Sequence, residues 1–85
     1  MGGAQAGQTG PVAGWNGRTL KLGEAGTDVR EWQEQMRRRG FLRLSASGVY
    51  DAQSAESCRW LQLYLRVPVT GQVDKTLWDA TWTAP

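Results

Sequence analysis

Apolar residues fall into three periodic blocks along the chain, separated by glycine-bounded turns and preceded by a stretch with almost no pattern. In the first block Val29, Trp32 and Met36 recur at i, i+3 and i+7, while Glu31, Glu34 and Arg38 occupy the positions between them. This is the stripe of a helix with one face turned inward. Thr27 or Asp28 is the expected cap, and Asp28 followed three residues later by Glu31 reads as a capping box. Gly40 suits the C′ position of a Schellman ending that brings Met36 and Phe41 together. Arg37, Arg38 and Arg39 then lie where cations meet the negative end of the helix dipole.

The second block, Ser54, Cys58, Leu61 and Leu65, has spacing i, i+4, i+7 and i+11 and follows Asp51, a good N-cap. Trp60 and Tyr64 form a second stripe beside it. Pro68 disfavours helical backbone at Val67, so this helix should end near Arg66. The third block is shorter. Asp74 caps it, Val73 and Trp78 form a hydrophobic staple, and Trp82 follows Trp78 by one turn. The pattern predicts an all-α domain of three helices between Leu20 and Trp82, around one core containing Val29, Trp32, Met36, Leu61, Leu65 and Trp78.

Two turns repeat one another. Gly48-Val49-Tyr50-Asp51 and Gly71-Gln72-Val73-Asp74 each read glycine, any residue, apolar residue, aspartate. In both the glycine makes the turn, the apolar residue packs inward and the aspartate accepts from free N–H groups of the helix that follows.

Residues 1–19 behave differently, holding six of the eleven glycines and few apolar side chains. Such a segment does not offset the entropy of ordering itself. It reads as an extended arm or linker with Trp15 as its candidate anchor, or, on composition alone, as a disordered tail, joined to a domain over residues 20–85. Extended, an arm of about 18 residues reaches roughly 60 Å, enough to touch a neighbouring subunit.

Length and composition narrow the chemistry. A chain of 85 residues makes one domain with a small core, burying roughly 60% of its unfolded surface. Cys58 is the single cysteine and histidine is absent, so neither an internal disulfide nor a His/Cys metal site can form, and no cofactor is expected. The net charge of +2 is too mild for a nucleic-acid partner. The longest apolar stretch, Trp60 to Val69, is interrupted by Gln62 and Arg66 and is too short to span a membrane. The first residues have neither the basic nor the apolar region of a secretory signal, so synthesis in a host cytoplasm without a signal peptide is expected. Catalysis is not expected. Cys58 sits on an apolar stripe, Asp51 and Asp74 serve as caps, and Glu24, Glu31, Glu34 and Glu56 belong to loops or polar faces.

Several segments together resemble the three-helix peptidoglycan-binding domains of bacterial and phage cell-wall proteins. The resemblance runs from Leu20 to Trp82. It rests on Leu20, Leu22, Gly23, Gly26, Asp28, Val29, Trp32, Gln33, Met36, Gly40 and Phe41, then Gly48, Tyr50, Asp51, Ser54, Cys58, Leu61 and Gln62, then Gly71, Val73, Asp74 and Trp78. The chain departs from the family's usual pattern at Trp32 and Leu61, where leucine and phenylalanine are usual, and at Ser54 and Leu77, where threonine is usual. The resemblance implies a non-catalytic module that attaches a phage or bacterial protein to the wall through a glycan or a stem peptide. Such a ligand wants flat aromatic rings with amide or guanidinium donors beside them. Tyr50, Arg59, Trp60, Gln62 and Tyr64, in or beside the second helix, are the candidates. A second expectation places the same fold on a virion as a capsid decoration or minor structural protein, with residues 1–17 docked on the shell.

Overall fold

The computed structural model of the chain describes residues 14–41 and 46–83. The first thirteen residues of the expected arm lie outside them. Among the described residues there are three helices, α1 over Thr27–Arg38, α2 over Ala52–Leu65 and α3 over Lys75–Thr83. Among the described residues the only extended pairing is two isolated antiparallel bridges, Leu20 with Val73 and Ala25 with Val49. The segment before α1 thereby touches both repeated turns. Leu20 and Val73 exchange two backbone hydrogen bonds of 3.0 and 2.9 Å, and further along Gly26 N–H donates to Gly48 and Tyr50 N–H to Glu24.

The start of α1 corrects the expected capping box. Gly26, with φ 152°, is the N-cap and offers no side chain, while Asp28 lies inside the first turn. Its carboxylate is claimed from outside the helix. Arg18 reaches it with Nε and Nη2, each at 2.8 Å, and Asn16 Nδ2 adds a bond of 2.9 Å. Arg18 also pairs with Glu24 and donates to the Ala25 carbonyl. A Cβ on Gly26 would sit 2.9 Å from Asp28 Oδ1 and 3.0 Å from Arg18 Nη2, so the backbone conformation and the ion pair both demand glycine there. Arg18 holds the Asp28 carboxyl down to about 2, against an ordinary 3.8, and the bonds from Asn16 and the Val29 N–H add to this while burial opposes it.

The other helix ends follow the sequence closely. Gly40 N–H donates to Arg37 and Phe41 N–H to Met36, the Schellman pair, and Phe41 packs on the core. Asp51 accepts from Ser54 N–H at 2.9 Å and Asp74 from Leu77 N–H at 2.9 Å, as N-caps do. The C-terminus of α2 is less ordinary. Arg66 takes a left-handed conformation (φ 61°), and Arg66 and Val67 N–H bond back to Leu63 and Gln62. Arginine thus occupies a position that glycine usually fills, with Pro68 just beyond it.

The core is built around Trp32. It is fully buried with Leu20, Val29, Met36, Tyr50, Cys58, Leu61 and Val73, and Ala55, Leu77 and Trp78 complete the cluster. Leu65, expected inside, packs against this cluster from its rim, one residue before α2 turns away at Arg66. Trp32 stacks obliquely on Tyr50 with centroids 5.5 Å apart, and its Nε1 donates to Thr81 Oγ1 at 3.0 Å. Thr81 Oγ1 in turn donates to the Leu77 carbonyl at 2.7 Å, which ties α1 to α3. Truncating a buried tryptophan costs about 3–5 kcal/mol, whereas an exposed ion pair such as Lys75 with Asp79 contributes about 0–1 kcal/mol. Packing therefore outweighs surface charge in holding the helices together.

Two buried glutamines fasten the repeated turns. Gln33 Oε1 accepts from Gly48 N–H at 2.8 Å, and its Nε2 donates to the Val49 carbonyl at 2.8 Å and to Ser54 Oγ at 2.9 Å. Gln62 does the same for the second turn. Its Oε1 accepts from Thr70 and Gly71 N–H at 3.0 and 2.9 Å, and its Nε2 donates to Thr70 Oγ1 at 2.9 Å and the Gln72 carbonyl at 3.3 Å. Both side chains are buried.

Gln62→Ala leaves buried turn groups without partners, so chemical denaturation should show a loss of about 2–3 kcal/mol, whereas Gln53→Ala on the exposed face of α2 should change stability by less than about 0.5 kcal/mol. The depressed Asp28 carboxyl carries a pH signature. Its contribution is present above the unfolded value near 3.8 and is lost as pH falls through the folded value of about 2. Thermal unfolding between pH 5 and about 2 should therefore fall more steeply for the wild type than for Asp28→Asn; parallel curves would show that the pair adds nothing. Arg66→Gly relieves the left-handed backbone and should raise stability by up to about 1 kcal/mol in the same denaturation assay.

Candidate functional site

The expected site residues separate into two groups around α2. Tyr50 and Gln62 lie inside, and Arg59, Trp60 and Tyr64 lie on the surface. Tyr50 is fully buried, its hydroxyl donating to the Gly71 carbonyl at 2.8 Å, and burial raises its ionisation above the ordinary tyrosine value. With the Gln62 amide on Thr70, Gly71 and Gln72, the two side chains grip one short turn from beneath. Their polar atoms are used by the chain itself.

Arg59 crosses the same turn from outside. A Cβ on Gly71 would stand 3.1 Å from Arg59 Nη1 and 3.5 Å from its Cγ, and Gly71 has φ 75°. Its conformation favours glycine there, and a side chain in its place would also push the arginine tip aside. Beside Arg59 a groove of about 200 Å³ opens between Lys21 and Leu22 of the lead-in segment, Ala55 and Arg59 of α2, and the Thr70–Gln72 turn. Of the five expected residues only Arg59 lines this groove, while Tyr50 and Gln62 hold its Thr70–Gln72 wall from beneath. A wider depression at the end of α1, beside Glu34, Arg37 and Arg38, meets none of them.

Trp60 and Tyr64 stand on the outward face of α2, one turn apart, 58% and 57% exposed. Leu63 between them is 55% exposed, and Phe41 meets the Tyr64 ring at 5.9 Å with the planes inclined by 57°. This apolar strip has no packing role in the core, unlike the opposite face of the same helix. Lys21, Leu22 and Thr70–Gln72 were not singled out from the sequence, because no periodicity marks a groove wall made from two loops. The signal available was the Arg-x-x-Gln pair that stands before each repeated turn: Arg30-Glu31-Trp32-Gln33 and Arg59-Trp60-Leu61-Gln62.

Other candidate chemistry is accounted for by structure. Cys58 is fully buried, and burial pushes its thiol up to about 12, which keeps it protonated at neutral pH. Asp51 and Asp74 cap helices, and Asp28 is paired with Arg18. Among the described residues no cluster of His, Cys, Asp or Glu could hold a metal ion, and no helix is long and apolar enough to cross a membrane. Trp15, expected as an anchor for a partner, is half-buried against the core of its own domain and its Nε1 donates to the Arg18 carbonyl at 3.0 Å. The packed unit therefore begins upstream of Leu20.

Comparison with known proteins places this arrangement. Residues 25–80 match the model of a family described as "Putative peptidoglycan binding domain". Among solved structures the chain is similar to the SleB N-terminal domain, with 25% identity and a TM-score of 0.71 over 79% of this chain and 97% of that one. It is also similar to the Burkholderia AP3 phage endolysin, with 25% identity and a TM-score of 0.71 over 79% of this chain but only 25% of the endolysin. No curated protein matches the chain in sequence. With the family's model covering most of the described helices, and the same three-helix fold in both structures, this chain belongs to the peptidoglycan-binding domain family.

Proposed function

We propose that this chain is a non-catalytic module that holds the protein carrying it, of phage or bacterial origin, on the bacterial cell wall by binding peptidoglycan along α2. The observation that carries the reading is the exposed pair Trp60 and Tyr64 beside the Arg59 groove. Flat aromatic faces suit the apolar faces of sugar rings, and the neighbouring groove offers polar groups that fix orientation. Asp51 and Asp74 cap helices, Glu24, Asp28, Glu34 and Asp79 sit in ion pairs and the Cys58 thiol lies in the core, which supports a module that binds without cutting. Attachment through α2 is favoured over docking of residues 1–17 on a shell, because Trp15, the aromatic residue of that segment, is already packed on its own domain.

Co-sedimentation with insoluble peptidoglycan tests the reading. The wild type should pellet with the wall while the suspension keeps its turbidity. Trp60→Ala should weaken binding roughly three- to tenfold, the effect of about 0.5–1.5 kcal/mol from one aromatic contact, with an unchanged melting temperature because the ring is more than half exposed. Wild-type protein remaining in the supernatant would overturn the proposal, and clearing of the suspension would overturn its non-catalytic part.

A further inference from the structure

The repeated Arg-x-x-Gln segments place an arginine in the same relation to a clamped turn twice. In each, the glutamine holds the following Gly-x-apolar-Asp turn. The arginine one turn earlier in the helix lies against the turn's glycine, with Arg30 Cβ 3.8 Å and Arg59 Nη1 3.1 Å from where a Cβ would stand. Their charges are treated differently. Arg30 is paired with Glu34 at i+4, Nε to Oε2 3.5 Å. The residue four after Arg59 is Leu63, so that partner is missing from the second copy. Among the described residues Arg59 makes no ion pair, and Lys21 on the opposite lip makes none. The groove walls hold two cations, Thr70, Gln72 and apolar surface, and no carboxylate.

An arginine laid over a turn, with no ion-pair partner and beside a groove without a carboxylate, is arranged for a bound anion. The guanidinium offers a planar fork of donors that matches a carboxylate. Where a peptide is joined to a muramic sugar the lactyl carboxyl is masked as an amide, so the free carboxylates of peptide-bearing wall belong to the peptides and its sugar rings offer hydroxyl and amide groups. We propose that this groove binds a carboxylate of the peptidoglycan stem peptide through Arg59 and Lys21. The inference rests on the wall-binding reading above and divides the surface into a peptide subsite at the groove and a sugar platform at Trp60 and Tyr64.

The test is co-sedimentation of the full chain with two preparations of insoluble wall, intact sacculi and sacculi freed of phosphate polymers by hydrofluoric acid, with a soluble stem peptide and the same peptide carrying amides in place of its carboxylates as competitors. The carboxylate peptide should displace the protein from intact sacculi about tenfold more effectively than its amidated form, and binding should stay unchanged on the acid-treated wall. Arg59→Gln and Lys21→Gln should each weaken binding to intact sacculi and lose the difference between the two peptides, while Arg59→Lys keeps part of it. Arg30→Gln should bind as the wild type. Lys21 is exposed and not needed for packing, so its variant reads the charge even where Arg59→Gln disturbs the turn. Equal displacement by the two peptides would overturn the peptide subsite and leave the wall-binding reading standing. Loss of binding on the acid-treated wall would assign the cations to phosphate and overturn the peptide subsite as well. A wild type that binds neither wall would overturn the wall-binding reading itself.

Discussion

A turn laid against the core of so small a protein faces some of its peptide groups inward, away from water, and here two glutamine amides supply their partners. An amide is suited to the task because it both accepts and donates, and can bridge an N–H and a carbonyl of one turn at once. A carboxylate would bring a charge into the core, and a hydroxyl would not reach as far. Gln33 and Gln62 each emerge from a helix and fasten the turn that begins the next one. Most of the architecture follows from this. With the turns fastened, Tyr50 and Val73 are delivered inward, Asp51 and Asp74 come to cap α2 and α3, and the lead-in segment finds edges to pair with.

What could be read from the chain and what could not divides along the range of the interactions. The stripes of α1 and α2, the caps at Asp51 and Asp74 and the Schellman ending at Gly40 depend on residues within a few positions of each other, and pattern alone finds them. Asp28 was misassigned because its partner, Arg18, lies ten residues upstream in a segment that looks featureless. The left-handed turn at Arg66 carries no glycine to announce it, only Pro68 downstream. The burial of Tyr50 and Gln62 was hidden for the same reason: an aromatic hydroxyl and an amide look alike as ligand donors and as core partners until the Thr70–Gln72 turn is in place.

The same turn serves scaffold and surface. From below it is gripped by Gln62 and Tyr50, and from above it carries Arg59. A rigid base is what a guanidinium on a flexible stem requires if it is to meet a ligand without losing much side-chain freedom. The fold of this chain accordingly combines a stiff interior with a face on α2 whose large apolar groups lie outside the core cluster. That outer face can vary in sequence while the glutamines and glycines beneath it stay fixed by packing.

The pairing of Leu20 with Val73 also bears on how the chain is made. The Gln62 clamp closes over nine residues and the Gln33 clamp over fifteen, so each can form as soon as its own turn exists. Leu20 and the Trp32 indole instead wait for partners near the other end, Leu20 for Val73 and the indole for Thr81, 49 residues later. On a ribosome the first-made part of the packed unit must stay open until nearly the whole of it has emerged. The module is thus completed in one late step, and a chain interrupted before α3 presents an unsealed core to the quality-control machinery instead of a partly working binder.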